Sequence, residues 1–154
     1  MARDKHYFRT TEQDPPPLVV RSKRRVRFEE VDLIGMVWHG RYPGFFEDGR
    51  IAFGDRYGMT YQLFIEKKTV APVVEMHIDY RLPLRFDEMI EVEAALYWNE
   101  AARLDFAYKI FNGQGQLAAS GYTVQLFTDP DGRMLLFPPD WLVGFRDSWK
   151  RGEL

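Results

Sequence analysis

Three carboxylates and a histidine lie close together in the sequence, just before a predicted helix. Glu29, Glu30 and Asp32 follow a predicted strand, and His39 stands near the point where the helix begins. The first N–H groups of a helix lack partners within it and lie at the positive end of the helix dipole, so they can bind an oxyanion. A carboxylate beside them can attack a carbonyl carbon or activate water while the amides hold the developing charge. Alternatively, Asp32 only supports a turn of the loop, which is common for aspartate near glycine.

Other kinds of active site find little support in the sequence. Cysteine is absent, which excludes disulfides, thiolate metal sites and cysteine nucleophiles. The histidines His6, His39 and His77 are not spaced as metal ligands, so no metal site is predicted. No nucleophile elbow, phosphate-binding loop or dinucleotide fingerprint occurs, and we expect no cofactor.

The carboxylates fall between the first strand and the long helix of an α+β pattern. Alternating apolar residues predict a strand over 18–29, and helical spacing predicts a helix over Tyr42–Tyr57 and a short one over 61–67. From 71 to 127 the alternation has a period of two, which indicates successive strands. A run of strands after one long helix predicts an antiparallel sheet packed on that helix, with a short helix following at the end.

Length and composition limit the possible classes of protein. The 154 residues suffice for one domain, and 45% hydrophobic with 29% charged residues is typical of a folded globular chain. The net charge of −2 gives no electrostatic case for a nucleic-acid partner. No apolar run is long enough for a membrane span, so we expect no membrane partner and a cytoplasmic location. Residues 1–17 are polar and end in three prolines, which predicts an arm before a single domain over 18–154.

The residues around the carboxylates resemble a known family. The pattern begins with Glu29 to Asp32 at a strand end. It continues with Gly35, then Val37-Trp38-His39, then Tyr42 at a helix start. It is similar to that of acyl-CoA thioesterases of the 4-hydroxybenzoyl-CoA thioesterase and YbgC type, which have the hotdog fold. The similarity extends over about residues 20–145. The resemblance implies an antiparallel sheet wrapped around one long helix.

The resemblance also implies roles for individual residues. Asp32 matches the catalytic carboxylate, as nucleophile or as general base on water. The backbone N–H of His39 matches the amide that polarises the thioester carbonyl, and its imidazole matches a group that orients water or the leaving group. Tyr42 either contacts the substrate or packs under the loop. The positions implied to bind substrate are Gly40, Arg41, Tyr42 and Arg103.

Departures from the family pattern leave the thiol carrier open. Arg41 replaces an asparagine or small residue, and Val31 replaces a small hydroxyl residue. The loop 98–103, which helps bind the nucleotide of coenzyme A in relatives, offers Arg103 as its one cation, opposed by Glu100. The basic run within 21–27 could receive an acidic carrier protein, or could simply be a solvated strand face.

The resemblance therefore predicts an acyl-CoA thioesterase, which hydrolyses a thioester to a free acid and coenzyme A. One alternative is a thioesterase on a polyketide or fatty acyl group bound to an acyl-carrier protein. A second is a non-catalytic acyl-binding hotdog protein, against which the carboxylate of Asp32 argues. By resemblance, hotdog subunits join their sheets, so we expect a homodimer or homotetramer with the site at the subunit interface.

Overall fold

The computed structural model describes residues 6–154. Two short 3₁₀ turns, Phe28–Glu30 and His39–Arg41, connect the first strand to the long helix. The helices and strands in chain order are β1 Leu18–Arg25, α1 Tyr42–Tyr57, α2 Tyr61–Glu66, β2 Val73–Tyr80, β3 Met89–Tyr97, β4 Arg103–Phe111, β5 Leu117–Leu126 and α3 Asp140–Lys150.

The first strand ends four residues earlier than its alternating pattern predicts. β1 stops at Arg25, and the chain turns over Phe28–Glu30. The carboxylate of Glu30 stabilises this turn, because its Oε1 accepts the backbone N–H of Arg27 at 2.7 Å and the guanidinium of Arg24 at 2.6 Å. The alternation continues through the turn, but the hydrogen bonding of the strand does not.

Helix α1 has the predicted bounds and forms the centre of the core. Gly58 ends it in the left-handed conformation, with φ of 77°. The side chains of Phe45, Phe46 and Phe53 are fully or almost fully buried against the sheet. A Cβ on Gly49 would come 2.9 Å from Val92, so glycine at this position lets the helix approach the sheet closely.

The five strands form one antiparallel sheet around α1. Their order is β1-β3-β4-β5-β2, so β1 and β2 are its two edges. This confirms the predicted α+β hotdog architecture. Edge strand β2 carries exposed apolar side chains, among them Val73, Val74 and Met76.

The described part of the N-terminal arm packs against the outer face of the sheet. The Tyr7 hydroxyl donates to Asp79 at 2.8 Å and lies 2.7 Å from the Ser120 hydroxyl. Phe8 contacts the ring of Tyr122, with centroids 5.5 Å apart. Within residues 6–154, no helix has the length and apolar character needed to cross a lipid bilayer.

Candidate active site

The loop between the two 3₁₀ turns holds Asp32 in a tight, internally bonded turn. Gly35 adopts φ of 79°, and its N–H donates to Asp32 O at 3.0 Å. The carboxylate Oδ1 of Asp32 accepts the N–H groups of Ile34 at 3.0 Å and Met36 at 3.1 Å. Asp32 thus supports the loop, as one of the two interpretations predicted, while its side chain stays exposed. Its catalytic role stays a prediction.

The loop is attached to the segment that precedes β3. Val37 N–H donates to Leu84 O at 2.8 Å, and Phe86 N–H donates to Gly35 O at 2.9 Å. Leu84 is fully buried, so the attachment reaches the core. The position of Asp32 is therefore set by backbone hydrogen bonds on both sides of the loop.

The turn before α1 leaves backbone donors free. Among the described residues, the N–H groups of His39 and Gly40 have no hydrogen-bond acceptor, whereas Arg41 N–H donates to Trp38 O at 2.9 Å. Because α1 continues directly from this turn, its dipole adds positive potential there. The carbonyl of His39 accepts the Tyr80 hydroxyl at 2.7 Å, which holds the turn on β2. Two free amides in this position can stabilise an oxyanion.

A cleft of about 720 Å³ opens beside Asp32. Trp38 and Arg41 line it along with the loop, and the guanidinium of Arg41 donates to Glu29 O at 3.0 Å. The imidazole of His39 is exposed and is not part of the lining. The lining residues are Phe28, Glu29, Val31, Asp32, Leu33, Gly35, Trp38, Arg41 and Phe86.

Tyr42 lies beneath the turn rather than in the cleft. It is 3% exposed, and its ring meets that of Tyr80 edge to face with centroids 4.8 Å apart. Burial raises the pKa of Tyr42 to about 12, and burial also raises the pKa of Tyr80. Both hydroxyls are therefore neutral at ordinary pH and cannot serve as bases. Of the two roles predicted for Tyr42, packing under the loop is the one that its burial favours.

Arg103 stands at the other end of the sheet from Asp32. It begins β4, next to the end of β3, whereas the Asp32 loop follows the β1 end paired with Met89 at the start of β3. The length of β3 separates these ends by roughly 25 Å at 3.3 Å per residue. Arg103 forms an ion pair with the buried Asp105 at 2.6 Å. One chain alone therefore does not bring the two predicted site residues together.

The basic run on β1 is largely paired with carboxylates. Arg21 contacts Glu91 at 3.1 Å and Glu93 at 2.7 Å, and Arg25 contacts Asp87 at 3.2 Å. These ion pairs reduce the positive charge that this face presents to a partner.

The structure adds cleft residues that the sequence analysis did not identify. The rings of Phe28 and Phe86 meet edge to face with centroids 5.8 Å apart, and the indole of Trp38 lies over Gly40. The 57 residues between Phe28 and Phe86 contain no spacing signal for this pairing. It arises from the backbone hydrogen bond between Phe86 and Gly35.

Comparisons with known proteins agree with this architecture. The acyl-CoA thioesterase YbgC of Haemophilus influenzae is 29% identical over 124 residues, which are 79% of this chain and 90% of that protein. The acyl-CoA thioester hydrolase YbgC of Escherichia coli is 26% identical over 106 residues, 69% of this chain and 79% of that protein. The crystal structure of a DHNA-CoA thioesterase from Staphylococcus aureus superposes with a TM-score of 0.75 at 22% identity, covering 88% of this chain and 96% of that one. That similarity supports the fold.

The family match includes the whole candidate site. The sequence model of the thioesterase-like superfamily matches residues 26–145, which run from the end of β1 into α3. Asp32, the free amides at His39 and Gly40, and the cleft all lie within this range. The chain therefore belongs to the thioesterase-like superfamily.

Proposed function

We propose that this protein is a thioesterase that hydrolyses an acyl-CoA to the free acid and coenzyme A. One observation carries the proposal: an exposed carboxylate, Asp32, lines a cleft beside a helix start with two free amides, those of His39 and Gly40. Hydrolysis of a thioester needs two elements. One is a group that attacks the carbonyl carbon or activates water, and the other is a set of hydrogen-bond donors for the carbonyl oxygen.

In the proposed reaction, the free amides bind the carbonyl oxygen and Asp32 supplies the attacking group or the base. The thioester carbonyl oxygen lies at the free amides, and Asp32 attacks the carbonyl carbon or takes a proton from the attacking water. When Asp32 attacks, the C–S bond breaks and the thiolate leaves and takes up a proton, and water then hydrolyses the anhydride between the acyl group and Asp32, which frees the acid and restores the carboxylate. When Asp32 acts as the base, the proton that it takes from water passes to the leaving thiolate as the C–S bond breaks. Either route consumes one water molecule. The imidazole of His39 is proposed to orient water or the leaving group.

Two observations favour coenzyme A over a carrier protein as the thiol. The YbgC relatives are named as acyl-CoA thioesterases or thioester hydrolases. The ion pairs of Arg21 and Arg25 leave little free positive charge on β1 for an acidic carrier. A non-catalytic acyl-binding role accounts for the loop support by Asp32 Oδ1 but not for its negative charge, since a neutral amide oxygen could accept the same two N–H groups.

We also propose that the protein acts as a homodimer or homotetramer in the cytoplasm. Edge strand β2 presents Val73, Val74 and Met76 to solvent, each more than two-fifths exposed. An apolar, unpaired sheet edge favours pairing with a second copy.

Hydrolysis assays test the proposal directly. Free thiol release is measured across acyl-CoA chain lengths and with one acyl group on a carrier protein, for the parent and for Asp32→Asn. We expect turnover of acyl-CoA that the substitution nearly abolishes. Absence of hydrolysis of every thioester would overturn the proposed function, whereas full activity of Asp32→Asn would overturn only the role given to the carboxylate. Turnover of the carrier-bound acyl group alone would instead assign the carrier protein as the thiol.

A further inference from the structure

Three aromatic rings surround the cleft that contains Asp32. Phe28 is 79% exposed, Trp38 51% and Phe86 50%. Apolar surface left in water forgoes about 25 cal/mol of stabilisation per Å². An exposed apolar cluster of this kind indicates a surface that a ligand or a partner covers, and its place in the cleft beside Asp32 favours the substrate.

Hydrogen bonds fix the backbone of Trp38, and its indole packs against Gly40. Trp38 N–H donates to Glu30 O at 3.0 Å, and its carbonyl accepts Arg41 N–H at 2.9 Å. A Cβ placed on Gly40 would lie 2.3 Å from Cζ3 and 2.5 Å from Cη2 of the indole. The ring thus lies directly against the backbone of Gly40, and any larger residue there must displace it.

We propose that Trp38 determines which acyl groups the enzyme accepts. Its indole, seated on Gly40, forms one wall of the cleft, and the acyl chain packs between it and the rings of Phe28 and Phe86. This inference rests on the proposed hydrolysis of thioesters. It assigns Trp38 as the specificity residue of that site and Gly40 as the residue that positions it.

The indole lies next to one of the two free amides, so the acyl chain and the thioester oxygen would bind side by side. Gly40 supplies one of the two N–H groups available for the thioester oxygen, and the indole lies against the same residue. A ring in that place excludes water from one side of the amide, which strengthens its interaction with an oxyanion. An acyl chain that fits under the ring also brings its carbonyl to the donors.

The first test is the acyl chain-length profile of Trp38→Ala. Steady-state kcat and KM are measured for straight-chain acyl-CoA substrates from acetyl to dodecanoyl. One methylene in an apolar pocket changes kcat/KM by about 10–200-fold. Removing the indole should therefore move the optimum to longer chains. We expect the ratio of long-chain to short-chain kcat/KM to rise by about tenfold or more. A variant that remains active with the parental profile would refute the proposal.

Gly40→Ala tests separately whether packing of the indole on Gly40 sets the acyl preference. The added methyl group collides with the indole, so the profile should shift in the same direction as in Trp38→Ala. Gly44→Ala is the matched control, because a Cβ there meets nothing within 4 Å. In the double variant Trp38→Ala/Gly40→Ala the two effects should be non-additive, giving the profile of Trp38→Ala alone. Additive shifts would show that Gly40 acts without Trp38.

A binding measurement separates this inference from the proposed reaction. A non-hydrolysable thioether analogue of dodecanoyl-CoA is titrated into the parent and into Trp38→Phe, and tryptophan fluorescence is recorded. The fluorescence change in the parent should be largely lost in Trp38→Phe, whose ring keeps the cleft filled. If the protein hydrolyses thioesters but the analogue changes the fluorescence of the parent and of Trp38→Phe equally, the proposed contact between Trp38 and the acyl chain is rejected. A Trp38 response in a protein that hydrolyses no thioester would support the contact and reject the reaction.

Discussion

Asp32 and Met36 exchange two hydrogen bonds across the loop that leads to the helix start. Asp32 N–H donates to Met36 O at 2.7 Å, and Met36 N–H donates to Asp32 Oδ1 at 3.1 Å. The N–H of Ile34 also donates to Oδ1, whereas Oδ2 accepts no hydrogen bond from any described residue. Loop support and chemistry are therefore compatible in one side chain, because Oδ1 anchors the loop and Oδ2 remains for water or a carbonyl carbon.

Asp32→Asn should separate the charge of this side chain from its structural role. The amide oxygen of asparagine can accept the same two N–H groups, so the loop is kept while the negative charge is lost. We expect kcat/KM for acyl-CoA to fall by ~10²-fold or more, within the 10²–10⁴ range for a positioned acid–base group. The urea midpoint should stay near the parental value.

Two companion variants sharpen that comparison. Asp32→Ala removes both the charge and the loop acceptor, so it should also lower stability, by about 1 kcal/mol per lost hydrogen bond. Asp55→Asn, on an exposed position of α1, is a control that should leave activity unchanged. Near-parental turnover by Asp32→Asn would leave Asp32 with a structural role only.

Substitutions at His39 should distinguish its backbone N–H from its imidazole. His39→Ala keeps the N–H and should reduce kcat/KM less than Asp32→Asn does. His39→Pro removes the N–H, and we expect the chain to tolerate proline there because Trp38 is extended, with ψ of 137°, and residue 39 starts a helical turn. We expect His39→Pro to lose about 10²–10³-fold in kcat, as for loss of one oxyanion donor. Equal losses in the two variants would assign the essential role to the imidazole.

Local signals made helix α1 predictable in full. Its apolar face repeats with helical period, Pro43 suits the first turn, and Gly58 ends the helix with positive φ. Thr60 immediately precedes the next helix and caps it, since its Oγ1 accepts Leu63 N–H at 3.1 Å. These features depend on residues within one or two turns of each other, so the sequence contains the necessary information.

Features that depend on distant residues were not predictable. The end of β1 depends on Glu30 bonding back to Arg24, and the walls of the cleft depend on Phe86 reaching Gly35. The separation of Arg103 from Asp32 follows from the strand order, which the alternation of polar and apolar residues does not reveal. The resemblance pointed to the Asp32 segment, but it did not predict that Trp38 packs on Gly40.

Arg103→Ala should affect stability more than binding of coenzyme A. Arg103 donates two hydrogen bonds to Oδ1 of Asp105, which is only 4% exposed, so its removal leaves a buried carboxylate poorly paired. We expect the free energy of unfolding to fall by about 1–3 kcal/mol. KM for acyl-CoA should change little. A large rise in KM, absent in the exposed control Arg133→Ala, would instead assign Arg103 to the coenzyme A site.

Met76→Lys should weaken association between subunits. Met76 lies in the middle of edge strand β2 and is 41% exposed, and a lysine on an edge strand opposes edge-to-edge pairing. Size-exclusion chromatography with light scattering should give a dimer or tetramer for the parent and a smaller species for the variant. Val143→Lys, on α3, replaces an apolar residue of similar exposure and should leave the assembly intact. A fully active parent monomer would refute the interface model.

Tyr7→Phe should reveal how much the N-terminal arm stabilises the sheet. The Tyr7 hydroxyl bonds to Asp79 and to Ser120, which is 3% exposed, and burial raises the pKa of Tyr7, so the group is a neutral donor at ordinary pH. Loss of a partner for a buried hydroxyl costs about 1–3 kcal/mol, so the urea midpoint should decrease while kcat/KM stays near parental. Tyr57→Phe is the matched control, since no described residue bonds to its hydroxyl. An unchanged urea midpoint in Tyr7→Phe would mean that the arm adds no stability through this contact. Loss of activity without loss of stability would instead indicate that the arm affects the cleft.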